Sequence, residues 1–366
     1  MKVALLIPNL MGGGAERVMV NLSAGFRSAN WIVHMVLLQP VGEYLQDLPS
    51  EVSVIDLKSK GMIRGIPALV KYLRAERPDV MVSAMEYVNV VALVARFLGR
   101  VPTRTILTVH VTISQTLRHT RSWKEKLLPF FMRLLYPFAS AIVAVSRGSA
   151  DDLARVAGIP RERIYVVHNP VLTPSIESKR GERVDQPWFE PGQPPVILGV
   201  GRFVPQKDFL TLIRAFSIVR REHRSRLVLL GNGPMREEYL SLSRTLGIED
   251  DMLMPGFVDN PYAMMSRSKV FVLSSSWEAL PTVLIEALVC GTSVVSTDCE
   301  NGPREILDLA GVGTLVPVGN HVAMAHAILN SFDAVPCPVR EAFVEEFDAR
   351  AAVDKYVDII NQVASR

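Results

Sequence analysis

The regular alternation of short apolar runs with helical patterns constrains the fold of this chain more than any other feature. The runs are rich in β-branched residues and almost continuously apolar, as strands buried on both faces of a sheet must be. They occupy residues 3–7, 33–37, 80–83, 104–109, 141–145 and 164–167, and then 196–200, 226–230, 251–254, 270–273, 293–296 and 313–316. Helical stretches such as 16–29 and 66–76 separate them. The pattern predicts an α/β fold of doubly wound parallel sheets.

One proline-rich stretch interrupts this alternation. Residues 171–194 mix prolines with charged residues and show no period, and a chain of 366 residues is too long for one ordinary core. The sequence therefore predicts two Rossmann-like domains, 1–170 and 195–340, joined by 171–194 and followed by a helical segment, 341–366. Because ligands bind beyond the carboxyl ends of parallel strands, we expect the two sheets to face one ligand cleft.

The cysteines, the N-terminus and the apolar runs argue against a metal-binding or disulfide-stabilised protein, a secreted protein and a membrane-spanning protein. Cys290, Cys299 and Cys337 have neither metal-like spacing nor an even number, which favours buried thiols in a reducing compartment. The apolar start at residues 1–8 is too short for a signal peptide. No run reaches the ~20 apolar residues that cross a bilayer. We therefore expect a cytoplasmic protein, either soluble or peripheral at the inner face of the cell membrane.

Positive charge is concentrated in the first half of the chain. Residues 1–170 contain 21 Lys and Arg against 12 Asp and Glu, a net +9, whereas the whole chain has a net charge of +3. Basic residues precede the apolar, aromatic stretch 127–138; they are Arg118, His119, Arg121, Lys124 and Lys126. This pattern is typical of a surface that meets anionic lipid, although a solvated loop before a core helix has the same composition. The charge asymmetry favours the membrane interpretation, and the lack of interleaved aromatics argues against nucleic acid.

Two glutamates eight positions apart bracket the predicted start of a helix near Pro281. Glu278 lies in the loop after a predicted strand, and Glu286 lies more than a turn into the helix. Between them, the N–H groups around Leu280 to Thr282 are available to an anion such as phosphate. This arrangement would suit a polyol phosphate. A helix-start charge and a solvated helix residue are the simpler alternatives.

A second loop supplies complementary charge. Gly201 follows the predicted strand 196–200 and would let the backbone approach a ligand, and Arg202 and Lys207 add two cations. Cations on one loop and hydroxyl acceptors on another indicate a site for a nucleotide diphosphate sugar. The sequence contains no Asp-x-Asp pair to hold a divalent cation on the diphosphate, so we expect no metal cofactor.

These motifs, in this order, resemble those of family 4 glycosyltransferases, which are retaining enzymes with the GT-B fold. The matching segments are Gly12-Gly13-Gly14-Ala15-Glu16-Arg17-Val18, Gly201-Arg202 with Lys207, Gly231-Asn232-Gly233-Pro234, Pro255-Gly256-Phe257 and Glu278 with Glu286. Gly302-Pro303-Arg304-Glu305-Ile306-Leu307 matches a motif of one branch of the family. The resemblance covers nearly the whole chain. It implies that the terminal helix crosses back to the first domain.

The resemblance also implies a division of roles among the motif residues. Arg202 and Lys207 would bind the diphosphate, Glu286 the ribose hydroxyls and Glu278 the sugar hydroxyls. His110, at the end of a predicted strand, would lie near the donor sugar and join Arg202, Lys207 and Glu278 as a catalytic residue. The other expected donor-binding residues are Gly13, Gly14, Gly201, Gly233, Gly256, Ala279, Leu280, Pro281 and Thr282. Because no nucleophile is evident, we expect front-face attack with the leaving phosphate as base.

The branch motifs resemble those of enzymes that use UDP-sugars, often N-acetylhexosamines, with GDP-mannose as the alternative donor. The expected acceptor is a lipid-linked saccharide or glycan of bacterial surface polysaccharide biosynthesis. A GT-B nucleotide-sugar epimerase, a phosphorylase and a non-catalytic glycan- or nucleic-acid-binding module are the competing interpretations. The triple glycine lacks the dinucleotide fingerprint, which argues against a nicotinamide dehydrogenase.

Arg304 is a further candidate for ligand contact. It opens a predicted helix, where a cation is unfavourable because the helix dipole is positive there. We therefore expect it either to contact a ligand or to pair with Glu300 or Glu305.

Overall fold

The strands form two parallel sheets, of seven and six strands, in the computed structural model, which describes residues 1–11, 13–120, 122–334 and 337–365 apart from the side chain of Lys124. The chain divides into two compact units. The first contains Met1–Pro170 and Phe347–Arg366, and the second contains Val171–Glu346. The α/β fold predicted from the periodicity is confirmed.

In the first unit, the sheet has the order β3-β2-β1-β4-β5-β6-β7. The strands are β1 Lys2–Ile7, β2 Ile32–Leu37, β3 Ser53–Asp56, β4 Val80–Ala84, β5 Arg104–Val109, β6 Ala141–Ala144 and β7 Ile164–Val166. The helices are α1 Gly14–Ser28, α2 Met62–Glu76, α3 Glu86–Gly99, α4 Ile113–His119, α5 Trp123–Lys126, α6 Leu128–Leu135 and α7 Arg147–Ala157. All pairings are parallel; β1, for example, pairs Leu5 with Met35 of β2 and with Val82 of β4.

In the second unit, the order β10-β9-β8-β11-β12-β13 repeats the same pattern. The strands are β8 Val196–Val200, β9 Arg226–Leu230, β10 Met252–Gly256, β11 Val270–Leu273, β12 Ser293–Thr297 and β13 Thr314–Val316. The helices are α8 Pro174–Arg180, α9 Phe209–Glu222, α10 Arg236–Leu246, α11 Pro261–Met265, α12 Thr282–Val289, α13 Pro303–Ala310, α14 His321–Asp333 and α15 Glu341–Phe347, with α16 Ala349–Ala364 following in the first unit.

Two segments differ from the sequence-based prediction. The strand β3 was not predicted because it lies at the sheet edge and is mostly exposed, so its sequence has no continuous apolar run. The stretch 171–194, predicted as an aperiodic connection, belongs to the second unit and contains α8. Pro174 occupies the first position of that helix, where its missing N–H costs nothing.

The strand order reverses between β1 and β4 in the first sheet and between β8 and β11 in the second. At such a point the crossover connections leave in opposite directions and open a crevice beyond the carboxyl ends of the strands. These two positions are therefore where ligand-binding loops are expected. None of the helices in the described residues has the length and apolar character that a membrane crossing demands.

A glycine allows the last helix to pack closely on the first. A Cβ atom built on Gly25 of α1 would lie 2.3 Å from Cγ2 of Val353 in α16. Asp348 fixes the start of α16, since its side chain accepts hydrogen bonds from the N–H groups of Arg350 and Ala351. Apolar residues of α16, including Tyr356 and Ile360, complete the core on this face of the sheet.

We predict that Gly25→Ala destabilises the protein although alanine is the better helix former. The propensity gain is about 1 kcal/mol, whereas overpacking against Val353 costs about 1–3 kcal/mol. Urea unfolding measures the change in the free energy of unfolding. The double variant Gly25→Ala, Val353→Ala is the matched control, because it reopens the space. A single variant as stable as the wild type would contradict the close contact between the helices.

Candidate active site

The reversal point of the second sheet holds a buried ion pair. Lys207 follows β8 and Glu278 follows β11, and Lys207 Nζ lies 2.5 Å from Glu278 Oε1. The same oxygen accepts a 2.7 Å hydrogen bond from the Ser275 hydroxyl. Because the Glu278 side chain is only 8% exposed, its charge is compensated within the fold and not by solvent.

Backbone contacts hold the two loops of this pair together. The Ser276 N–H donates to the Gln206 carbonyl at 2.8 Å, and the Gln206 amide donates to the Trp277 carbonyl at 2.9 Å. The Ser274 hydroxyl donates to the Lys207 carbonyl at 2.7 Å. These bonds fix Lys207 and Glu278 on opposite loops before any ligand arrives. Such pre-organisation is what an electrostatic site requires.

Glycines make a third loop fit against the first. A Cβ atom on Gly233 would lie 2.4 Å from the carbonyl oxygen of Phe203, which shows how closely the two backbones approach. The Phe203 N–H donates to the Asn232 carbonyl at 2.8 Å. Gly201 faces the stem of Lys207, whose Cε would lie 3.2 Å from a Cβ atom added to the glycine, and Gly256 faces the Asn232 side chain. The structure thus gives Gly233 a role in loop packing.

The helix α12 begins at Thr282, with Pro281 as its N-cap, so the predicted start near Pro281 is correct to one residue. Ala279, Leu280 and Pro281 are buried, and Thr282 and Glu286 are half-buried. No side chain in the described part of the chain caps this helix start. Its first N–H groups therefore remain suited to an anion.

Two arginines near this loop, Arg202 and Arg304, differ in their side-chain contacts. Arg202 is exposed, and its side chain has no hydrogen bond or ion pair with any residue in the described part of the chain. Arg304 pairs with Asp298 through two nitrogens, with Nε 3.2 Å from Oδ1. Asp298 stands six residues earlier, after β12, so the sequence-based choice of Glu300 or Glu305 as the ion-pair partner missed it. The bidentate pair satisfies the guanidinium that the helix dipole disfavours.

In the first unit, α1 begins at Gly14 with Gly13 as its N-cap, directly beyond β1. The Glu16 carboxylate folds over Gly13, since a Cβ atom there would lie 2.3 Å from Glu16 Oε2. Gly14 faces open space. Gly12, the first glycine of the predicted motif, lies outside the described residues.

His110 follows β5 and is held by a hydrogen-bond chain that fixes its tautomer. The Thr108 hydroxyl donates its only hydrogen to the Ser83 carbonyl at 2.8 Å. It must therefore accept from His110 Nε2, which lies 2.8 Å away. Burial lowers the pKa of His110 to about 4, so the ring is neutral at pH 7. His110 Nδ1 is then a hydrogen-bond acceptor, buried and without a partner among the described residues.

Glu86, which the sequence analysis did not single out, lies beside His110. It opens α3 after β4, is 9% exposed, and its carboxylate receives the backbone N–H groups of Glu86 and His110. Burial outweighs these donors and raises the pKa of Glu86 to about 7. Its Oε1 atom has no partner within the described ranges. The only sequence signal was an acidic residue directly after a strand at the reversal point of the sheet.

The predicted membrane-facing segment forms α4, α5 and α6. Met132 and Tyr136 are buried on the inner side, whereas four large apolar side chains on the outer side are between 42% and 64% exposed. These are Leu127, Phe130, Phe131 and Leu134. Arg118 and Lys126 are exposed beside them, and Leu128 is half-buried. Arg121 and the side chain of Lys124 lie outside the described residues.

Two family models match this chain. The family model of Glycosyltransferase Family 4 matches residues 12–173, and that of Glycosyl transferases group 1 matches residues 182–336. The N-acetylgalactosamine-N,N'-diacetylbacillosaminyl-diphospho-undecaprenol 4-alpha-N-acetylgalactosaminyltransferase of Campylobacter jejuni is 28% identical over 97% of this chain and 96% of its own.

The chain belongs to glycosyltransferase family 4. A second relative, the GalNAc-alpha-(1->4)-GalNAc-alpha-(1->3)-diNAcBac-PP-undecaprenol alpha-1,4-N-acetyl-D-galactosaminyltransferase of the same organism, is 26% identical over 89% of this chain and 87% of its own. The crystal structure of Anabaena Alr3699/HepE in complex with UDP and glucose has a TM-score of 0.74 at 20% identity, covering 100% of this chain and 98% of that one. Both the predicted family and the predicted two-domain GT-B fold of this glycosyltransferase are confirmed.

We predict that Glu86→Gln changes how the stability of this glycosyltransferase depends on pH. The unfolded carboxyl ionises near 4.5, whereas the native one keeps its proton up to about 7. Protonated Glu86 therefore contributes stability that is lost as the pH rises from 4.5 to 7, on the order of 3 kcal/mol. Urea unfolding between pH 5 and pH 8 should show the wild type losing stability relative to the variant. Parallel pH curves for the two proteins would contradict the burial of this carboxyl.

Proposed function

We propose that this glycosyltransferase transfers a sugar, with retention of configuration, from a UDP-sugar to a lipid-linked saccharide of bacterial surface glycan biosynthesis. The observation that carries the proposal is the Lys207–Glu278 pair at the reversal point of the second sheet. A cation and a carboxylate fixed 2.5 Å apart suit a ligand that has a phosphate next to a hydroxylated ring. A UDP-N-acetylhexosamine is the donor we favour.

In this proposal, Lys207 keeps its ion pair with Glu278 and directs its remaining N–H groups at the diphosphate. Arg202 and the uncapped start of α12 add positive potential to the same group. Glu278 accepts from sugar hydroxyls, and Glu286 accepts from the ribose. These groups neutralise the leaving phosphate, and the proposal requires no metal ion.

The proposed chemistry is a front-face displacement. The bond between the anomeric carbon and the diphosphate oxygen breaks while the acceptor oxygen bonds to the same face of the sugar. The proton of the acceptor hydroxyl passes to the departing diphosphate oxygen. No side chain is modified, so the protein acts by orienting the substrates and stabilising charge.

The names of related proteins support the choice of substrates. Both Campylobacter jejuni relatives are named as N-acetylgalactosaminyltransferases that act on undecaprenol-linked diphospho saccharides. The Anabaena neighbour was crystallised with UDP and glucose. We extend these two features, the lipid-linked diphosphate acceptor and the uridine nucleotide, to this chain.

We predict that Lys207→Ala and Glu278→Ala each reduce sugar transfer by at least ~100-fold, as the loss of a pre-organised electrostatic contact does elsewhere. UDP release from UDP-sugars measures the rate. UDP should also raise the melting temperature of the wild type more than GDP or ADP does, because a ligand that binds only the native state stabilises it. Stabilisation by GDP alone would contradict the UDP assignment.

A double variant separates activity from folding in this experiment. Removing one partner leaves a buried charge, which destabilises by about 3–5 kcal/mol. Lys207→Met combined with Glu278→Gln removes both charges and should restore stability without restoring transfer. Arg244→Ala removes an exposed ion pair with Glu249 and should leave both properties unchanged. Full turnover by either single alanine variant would overturn the assignment of this site.

We also propose that the outer face of α5 and α6 contacts the membrane surface that carries the acceptor lipid. Leu127, Phe130, Phe131 and Leu134 offer apolar side chains next to the exposed cations Arg118 and Lys126. Apolar side chains that enter the headgroup region, flanked by cations, are what interfacial binding to anionic lipid requires. The net charge of +9 over residues 1–170 adds a longer-range attraction.

We predict that wild type co-sediments with vesicles containing phosphatidylglycerol at low salt. Because each cation near the surface contributes roughly 1 kcal/mol, Arg118→Glu with Lys126→Glu should weaken binding by at least ~10-fold. Phe130→Ser should weaken it at any salt concentration. Reversing Arg64 and Lys71, two exposed cations of α2, is the matched control. Equal binding by both double variants, or no binding by wild type, would refute a specific membrane face.

A further inference from the structure

Two buried hydrogen-bond acceptors that have no partner among the described residues lie at the carboxyl ends of β4 and β5, beside the reversal point of the first sheet. Glu86 Oε1 and His110 Nδ1 belong to residues that follow β4 and β5, which are neighbouring strands. The carboxylate of Glu86 receives the backbone N–H of His110, so it lies against the main chain of His110. Both atoms lack a donor among the described residues. An unpaired buried acceptor is costly, so a donor from outside the chain is expected there.

Hydrogen bonds that do not involve these two atoms hold the ends of β4 and β5 together. The Ser83 hydroxyl donates to Asn89 at 2.6 Å, and Asn89 donates to the Thr108 carbonyl at 3.0 Å. The Tyr136 hydroxyl donates to the Glu86 carbonyl at 3.3 Å. The ends of β4 and β5 are therefore joined by other groups. Burial raises the pKa of the Glu86 carboxyl, and local packing does not explain why so unfavourable a position for a carboxylate is kept.

The position of the pair favours a ligand delivered from the proposed membrane face. In a crossover connection, the segment after a strand starts at the carboxyl edge of the sheet. The segment from His110 through α4, α5 and α6 to Tyr136 is such a segment, leading from β5 towards β6. Tyr136, on the inner side of the same segment, reaches the Glu86 carbonyl. Glu86 opens α3, which packs against α6, so Glu86 and the apolar outer face lie on neighbouring helices.

We propose that Glu86 is an acceptor-binding residue, whose Oε1 atom, in the ionised carboxylate, accepts a hydrogen bond from a hydroxyl group of the lipid-linked acceptor sugar beside His110. This inference rests on the proposed function, since it assigns the acceptor to the first unit. Glu86 forms no covalent bond and keeps no substrate proton. It orients the sugar.

Substitution by glutamine gives a selective test, because the side chain keeps its shape. Because Oε1 has no partner among the described residues, the two backbone N–H groups donate to the other carboxylate oxygen. In the glutamine variant, these N–H groups donate to the single amide oxygen and so hold it in that position. The NH₂ group then takes the place of Oε1 and presents donors where an acceptor stood. A hydroxyl oriented by Oε1 loses its partner, while the donor nucleotide on the second unit is untouched.

The experiment measures UDP release with UDP-GlcNAc and UDP-GalNAc as donors, and with N-acetylgalactosamine linked to a short polyprenyl diphosphate as the acceptor probe. Glu86→Gln and Glu86→Ala should raise KM for the lipid-linked probe at least ~10-fold. KM for the donor, and the slow hydrolysis of the donor by water, should stay within about twofold because Glu86 does not contact the donor. Glu162→Gln, an exposed glutamate of the same unit, is the matched control.

The outcomes separate this inference from the proposed function. If wild type neither binds UDP nor releases it from these donors, the proposed function fails. If wild type transfers sugar and both Glu86 variants keep its acceptor KM, only the role of Glu86 is overturned. A second measurement needs no variant: adding the lipid-linked probe to wild type labelled with ¹⁵N-histidine should shift the Nδ1 resonance of His110, and an unchanged resonance would also overturn it.

Discussion

Burial of both faces of a parallel sheet is the constraint on which the rest of this structure depends. Strands covered on both sides by helices have no exposed face for polar chemistry, so functional side chains are confined to the edge where the strands end. In both units, this edge opens where the strand order reverses, between β1 and β4 and between β8 and β11. Lys207 and Glu278 follow strands at one of these points, and Glu86 and His110 follow strands at or next to the other.

The two sites handle buried charge in different ways. Glu278 is paired with Lys207 and with the Ser275 hydroxyl, so its charge is compensated within the fold. Among the described residues, Glu86 receives only backbone N–H groups, and burial raises the pKa of its carboxyl to about 7. The first arrangement compensates its charge without a ligand, which suits the diphosphate site that we propose. The second retains an unsatisfied acceptor, which is the usual mark of a group reserved for function.

The motifs and the periodicity together made most of the fold predictable. Every strand that is buried on both faces was found from its apolar run, whereas β3 was missed because it is exposed at the edge. The start of α12 was predicted to within one residue from Pro281. Asp298 as the partner of Arg304 was not, since the five intervening residues form a turn whose shape sequence spacing does not encode. Glu86 was not predicted as a site residue because a single acidic residue after a strand forms no recognisable sequence motif.

The sequence by itself determined the family and the two-domain α/β fold, because periodicity and glycine motifs are local properties of the chain. Only the tertiary structure decided which side chains meet. Lys207 and Glu278 are 71 residues apart and touch because β8 and β11 are hydrogen-bonded neighbours. Glu86 and His110 meet for the same reason at β4 and β5. Burial, tautomer and pKa depend on those long-range neighbours, and therefore no local pattern specifies them.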